Sequence, residues 1–359
     1  MAGEWPIKQL GEIVINLDSK RIPLSSRERE RRRGHYPYYG ANGVIDYVDD
    51  FLFDGLHVLI AEDGSVEKDD GTPFVQIVEG KFWVNNHAHV LRASTDIDTK
   101  FLYYALSTIR VRPFLTGSVQ AKLSQQNLNR IPIPYPPEVE RRAIAAVLGA
   151  LDDKIELNRR MNRTLEAIAQ AVFRHWFVEN EEAEGWEIRT LGDICEFAYG
   201  KGLKEEERVS GPIPVYGSNG QIGWHNEPLV KGPGIVVGRK GNPGIVTWVH
   251  TDFFPIDTTF YVEIKDKETS LYWLYYMLVS LNLSNLAADS AVPGLNRNFA
   301  YMSELVYPPT DLMKKFDDVI KPLFAKIHAN EQQSRTLAAL RDALLPKLLR
   351  GEVRVTVQE

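Results

Sequence analysis

The sequence is written twice. Trp5, Leu10-Gly11 and Ile13 return as Trp186, Leu191-Gly192 and Ile194, and the turn Tyr39-Gly40, Asn42-Gly43 returns as Tyr216-Gly217, Asn219-Gly220. Phe101-Leu102-Tyr103-Tyr104 comes back as Trp273-Leu274-Tyr275-Tyr276, and Tyr135-Pro136-Pro137 as Tyr307-Pro308-Pro309. Lys154-Ile155, Asn158 and Arg163-Thr164-Leu165 recur as Lys326-Ile327, Asn330 and Arg335-Thr336-Leu337. From Phe101 onward the spacing is a constant 172 residues, while upstream it drifts from 181 to about 171. Insertions therefore fall in the N-terminal part of each copy. A duplicated unit is its own alignment: shared positions report the common fold, and unlike ones report what each copy does differently.

Each copy reads as a globular part followed by a long helix. The globular parts, 1–137 and 183–309, are punctuated by Gly and Pro and carry short strand-like runs such as His57 to Ala61 and Gly234 to Gly238, each ending at turn residues. Between Pro137 and about Phe177 there is no Pro, and a seam of alternating three- and four-residue steps runs Leu148, Leu151, Ile155, Asn158, Asn162, Leu165, Ala169, Val172, Trp176. The second copy reads Ile320, Leu323, Ile327, Asn330, Ser334, Leu337, Arg341, Leu344, Leu348. About 40 residues of helix make a rod of roughly 60 Å, and such a stripe needs a partner; the other copy's helix is the obvious one. The polar residues Asn158, Asn162, Asn330 and Ser334 sit mid-seam, where they cost stability and can fix register. The expected architecture is α/β: two globular mixed α/β domains (1–137 and 183–309) separated by two long antiparallel coiled-coil helices (138–182 and 310–350), a pseudo-twofold between the copies, and a tail at 351–359. That geometry suits a long partner with an approximate dyad of its own, such as duplex DNA.

At 359 residues the chain exceeds what one core usually serves. Its 44% hydrophobic and 25% charged content is that of a soluble globular protein with no membrane contact. The single Cys195 leaves no intrachain disulfide, fits a reducing cytoplasmic compartment and reads as a small core residue. A net charge of −6 excludes a surface coated in positive potential, so any nucleic-acid contact must come from local patches.

Those patches lie where the copies differ. Copy one carries Lys20 and Arg21, then an Arg-rich loop with Arg27, Arg29, Arg31 and Arg32 interleaved with Glu. Copy two has Lys201 and Lys204, then Glu205-Glu206-Glu207. The turn after the second strand is Glu62-Asp63-Gly64-Ser65 in one copy and Arg239-Lys240-Gly241-Asn242 in the other. Carboxylates can accept from cytosine, and Arg or Lys can donate to guanine; an internal salt bridge is the competing explanation for each. A third variable stretch sets Gln120, Lys122 and Ser124 against Val292, Pro293, Asn296 and Arg297. Unlike side chains on a common fold suggest two different half-sequences. The shared Tyr39, Asn42, Tyr216 and Asn219 suit turn-shaping or phosphate contact. Phe173, Trp176, Phe177, Leu345 and Leu349 give the helix ends more apolar surface than one seam can bury, a candidate docking surface for partner subunits.

No nucleotide-phosphate loop and no dinucleotide or methyl-donor fingerprint is present. The Tyr-Pro-Pro triplets read as stiff strand-to-helix joints. Asn85-Asn86-His87-Ala88-His89 places two His on one strand face, but the second copy has Asp257, Thr258 and Phe260 there, so the fold requires no metal.

The order of these features, duplicated, resembles the specificity subunit of type I restriction-modification systems, and the resemblance covers essentially the whole chain. It rests on the Trp…Leu-Gly-x-Ile opening, the Tyr-Gly-x-Asn-Gly turn and the exit Ser118…Leu123…Ile131-Pro132-Ile133-Pro134-Tyr135-Pro136-Pro137. The second copy has Ser290…Leu295…Val306-Tyr307-Pro308-Pro309 and lacks the Ile-Pro-Ile-Pro rhythm. The resemblance implies a non-catalytic reader of double-stranded DNA, with two target-recognition domains for a split, asymmetric site. It also implies two modification (methyltransferase) subunits and restriction (translocase/endonuclease) subunits as partners. S-adenosylmethionine, ATP and magnesium would belong to those partners and none to this chain. The rival readings are a self-contained methyltransferase or nuclease, and a structural coiled-coil adaptor that binds protein alone.

Overall fold

The computed structural model describes residues 5–117, 120–286 and 294–355. It divides into two compact units, residues 1–157 with 333–359 and residues 158–332. Both have the same plan.

In the first unit the strands are β1 (Ile7–Gln9), β2 (Ile15–Asn16), β3 (Arg33–Gly40), β4 (Gly43–Val48), β5 (His57–Ala61), β6 (Val75–Val78), β7 (Trp83–Val84), β8 (Ala88–Arg92) and β9 (Pro132–Pro134). They form an antiparallel sheet in the order β2-β8-β5-β6, a second sheet β4-β3-β7, and the pair β1-β9. In the second unit β10 (Glu187–Thr190), β11 (Cys195–Tyr199), β12 (Ile213–Gly217), β13 (Gly220–His225), β14 (Gly234–Gly238), β15 (Val246–Val249), β16 (Phe254–Pro255), β17 (Thr259–Ile264) and β18 (Glu304–Tyr307) repeat it as β11-β17-β14-β15, β13-β12-β16 and β10-β18. β5 and β14 are buried on both faces, which explains their unbroken apolar runs. The shared Asn-Gly turns close β3–β4 and β12–β13 as two-residue hairpins, with Gly43 at φ +144° and Gly220 at φ +100°.

The Pro-rich exits are strand-to-helix joints. β9 ends at Pro134 and the first long helix begins at Glu138; β18 ends at Tyr307 and the second begins at Thr310. These helices run without interruption over Glu138–Phe173, extended by one π turn at Arg174–Val178, and over Thr310–Leu349. The second passes through Pro322 and Pro346.

Within each unit segments of both helices pair antiparallel. In the first, Asp152 meets Arg341 at 2.6 Å, and farther along Glu140 meets Arg354, beyond the end of the second helix, at 2.6 Å. The charged seam position Arg341 is thereby neutralised. In the second, Asn158 Nδ2 donates to the Asn330 carbonyl (3.3 Å), Asn162 Nδ2 to the Ile327 carbonyl (3.2 Å), and Asn330 Nδ2 to Asn162 Oδ1 (2.8 Å). The mid-seam amides thus bond across the helix pair, where a shift of register would strand them.

The cores explain why neither copy closes alone. Around Leu10, Val58, Ile60, Phe101 and Leu102 the first core takes in Ile144 and Leu148 from its own helix and Leu348 and Leu349 from the end of the second. Around Trp273, Leu274, Phe197 and Val237 the second core takes in Phe316 and Ile320 from its own helix and Ala169, Phe173 and Phe177 from the first. This corrects the expected docking surface. Phe173, Phe177 and Leu349 are 4–6% exposed, and Trp176 and Leu345 pack against the same cores half-buried. The surplus apolar surface at the helix ends is consumed by the globular parts. Cys195 lies fully buried at the start of β11, paired with Ile264 of β17, and burial pushes its thiol up to about 12, so it stays an inert core residue. Among the described residues no helix is long and apolar enough to cross a membrane.

Candidate nucleic-acid interface

The two units build one corner with the same backbone and different side chains. It lies where the strand after the opening Leu-Gly turn, the end of the buried central strand, and the start of its neighbour converge. The backbone bond that closes it is common to both: Leu123 N donates to the Glu62 carbonyl (2.7 Å), and Leu295 N to the Arg239 carbonyl (2.9 Å). Glu62 therefore stands opposite Arg239, Asp18 opposite Tyr199, and His89 opposite Phe260.

In the first unit this corner is a closed ionic network. Arg21 Nη1 donates to Glu62 (2.8 Å) and to the Ala88 carbonyl (2.7 Å), and Nη2 lies 3.5 Å from Asp18. His89, 1% exposed, joins Asp18 through Nδ1 at 2.5 Å and the Leu123 carbonyl through Nε2 at 2.7 Å. Burial works against both carboxylate charges. The His89 contact on Asp18, and the Arg21 hydrogen bond with the His89 charge on Glu62, outweigh it and hold both below their ordinary values. Lys122, half exposed, closes the rim at 3.1 Å from Glu62. Asp18, Glu62 and His89 could in principle hold a cation, but the Arg21 guanidinium already occupies that position. His87, the other candidate ligand, pairs with Asp63 at 2.6 Å.

Arg21 is therefore a structural cation, a correction to its expected DNA contact. The same holds for part of the Arg-rich run, which is a short helix, Ser26–Arg31, capped by Ser25 and leading into β3. Arg29 bonds Asp46 (2.9 Å) and stacks on Tyr38; Arg32 bonds Asp49 (2.9 Å) and stacks on Trp83. These two fasten the helix to the β3–β4 hairpin, while Lys20, Arg27 and Arg31 remain exposed.

In the second unit the corner is cationic and aromatic. The exposed Tyr199 ring has Arg239 at 4.8 Å and Arg297 at 4.7 Å from its centroid. Arg239 Nη1 donates to the Asp257 carbonyl (3.0 Å) and Arg297 Nη1 to the Phe197 carbonyl (3.1 Å). Carbonyls and a ring hold the guanidiniums in place without cancelling their charge. Among the described residues none of Arg239, Lys240 and Arg297 is ion-paired, and Lys240, Lys201 and Lys204 are exposed.

The remaining candidates flank these corners. Ser65 and Gln120 are exposed in the first unit. Ser124 caps the helix Gln125–Asn129 by accepting from Asn127 N, and Asn296 caps Arg297–Tyr301 by accepting from Asn298 N, so both have local structural work. The hairpin turns lean on the variable loops: Asn242 donates to Asn219, and the Asn42 amide is placed to donate to the Ser65 carbonyl at 3.1 Å. Tyr39 and Tyr216 pack edge-on against Phe82 and Phe253. Ser118, Ser290, Val292 and Pro293 lie outside the described residues. Tyr199 was missed by sequence reasoning because its counterpart is Asp18; only the fold sets it between two arginines.

One scaffold presented twice with unlike side chains defines a tandem recognition protein. The chain belongs to the family described as the type I restriction modification DNA specificity domain, whose model matches residues 2–167 and again 183–336. It is similar to a putative type I restriction enzyme specificity subunit of Haemophilus influenzae, 40% identical over 148 residues, which are 41% of this chain and 37% of that one. It therefore spans little more than a third of that relative. The MjaIX specificity subunit of Methanocaldococcus jannaschii is 26% identical over 332 residues, 79% of this chain and 75% of that one. In fold it resembles the crystal structure of a type I restriction-modification S subunit from M. genitalium, with a TM-score of 0.67 at 21% identity, covering 99% of this chain and 97% of the other.

Proposed function

We propose that this chain is the DNA-reading subunit of a type I restriction-modification complex, each globular part reading one half of a split, asymmetric site. The observation that carries the reading is the corner built twice: sealed by carboxylates, His and Arg in the first unit, open and cationic around Tyr199 in the second. A shared backbone with unlike termini of charge is what two different half-sequences require. Modification subunits, two per chain, and restriction subunits supply the chemistry, with their S-adenosylmethionine, ATP and magnesium; this chain supplies the address in the cytoplasm. With the helix ends buried, the exposed Val139, Leu157, Ile168, Val319 and Leu340 on the long helices are large apolar residues left for those partners.

A gel shift of the assembled complex across a salt series tests DNA reading. Several phosphate contacts make log affinity fall linearly with log salt, by about 0.9 per neutralised phosphate. Arg27→Ala and Arg31→Ala together should lower that slope by about 2 if both exposed arginines meet phosphates. An adaptor that holds protein alone would leave affinity and slope unchanged in this variant.

A further inference from the structure

We propose that the second unit carries a transition-metal site, made by His250, His328 and Glu331, that takes Zn²⁺ or a similar divalent ion. His250 follows β15; His328 and Glu331 lie three residues apart, on one face of the second long helix. The three side chains offer one ligand atom each, all within 4.8 Å of one another. Tetrahedral zinc holds its donors ~3.4 Å apart, a gap that side-chain rotation closes. The two imidazoles are already disposed for a common ion: their centroids are 4.8 Å apart with planes at 27°, against ~5 Å for two His on one zinc.

The surroundings are those of a metal ligand set. His328 Nε2 accepts from the Gln332 side-chain Nε2 at 2.7 Å, and an ion on Nδ1 would move the ring proton to Nε2 and require the amide to turn its Oε1 toward it. Phe324 and Trp248 wall His250 at 6.0 and 6.3 Å, an apolar shell that strengthens ligation. Trp248 Nε1 donates to His250 Nδ1 at a long 3.3 Å, a bond that a metal on that nitrogen would replace. Two imidazoles and one carboxylate select zinc, cobalt or nickel over magnesium or calcium. The first copy has Glu79, Glu156 and Arg159 at the matching positions, a set with no imidazole. The site therefore belongs to the second copy alone, and it would pin the end of β15 to the long helix.

The test uses the full chain, stripped with a chelator and titrated with Co²⁺ and then Zn²⁺. One equivalent of Co²⁺ should bind with visible absorption of a four-coordinate N/O site, and Zn²⁺ should displace it and raise Tm. Glu331→Gln, at an exposed helical position, and His328→Gln should each abolish the band. Should His328→Gln fail to fold, Glu331→Gln decides. The proposal is overturned if the chain binds neither ion, or if Glu331→Gln binds Co²⁺ with the same affinity and spectrum.

Discussion

Replacing Arg239 and Lys240 with alanine should erase one half of the methylated sequence and leave the other half as it was. The two cations share the loop after β14, and among the described residues neither is ion-paired. Arg239 is held in place by the Tyr199 ring and the Asp257 carbonyl, so it is ordered and still charged. A good bidentate base contact discriminates by about 1–3 kcal/mol, or about 5- to 150-fold per base. The double variant loses that at one half-site while the corner around Glu62, in the other unit, is untouched. Sequencing the DNA methylated by the variant with its modification partner reads the result. An unchanged motif would remove this loop from the reading surface.

Arg141→Ala should be among the most destabilising single changes in the chain. Arg141 Nε bonds Asp98 at 2.7 Å, its Nη1 bonds the Pro136 carbonyl at 2.7 Å, and its guanidinium lies 4.0 Å from the centre of the Tyr135 ring. Both side chains of the pair are about nine-tenths buried. Truncation strands the Asp98 carboxylate beside an unpaired carbonyl, and breaking a buried pair from one side costs about 3–5 kcal/mol. The urea midpoint of the first unit, followed by Trp fluorescence, should fall accordingly; a change within the range of surface substitutions would contradict it. The pair also gives stability a sign with pH. Burial opposes the Asp98 charge, but the Arg141 and Thr95 hydrogen bonds and the Arg141 charge prevail and hold its carboxyl below 3.8. The unfolded chain binds the proton first as pH falls, so the contribution is full above that value and is lost as pH drops through the lower folded one. In Arg141→Ala this acid-side loss should shrink.

Much of the fold is legible because the repeat separates what is shared from what varies. The Tyr-Pro-Pro joints, the Asn-Gly hairpins and the helix seam with its mid-seam amides all rest on local periodicity or turn chemistry, which a sequence displays. Phe173 and Phe177 show the limit. Their surplus apolar face is visible in sequence, but the core that receives it is assembled around Trp273, about 100 residues away, and no local signal names that partner. The Arg-rich run shows another. Arg29 and Arg32 alternate with exposed Arg27 and Arg31, and only the β3–β4 hairpin brings Asp46 and Asp49 to the first pair. Short-range charge counting cannot divide four arginines into two that build the protein and two that face outward.

The methylated sequence is the most direct test of the proposed split-site reading. DNA modified by the wild-type chain with its modification partner, sequenced with methylation-sensitive chemistry, should carry a motif of two short, dissimilar sequences separated by a spacer of fixed length and no sequence preference. A single contiguous motif, or two identical halves, would contradict the proposed reading, in which two domains of one backbone plan read different half-sequences.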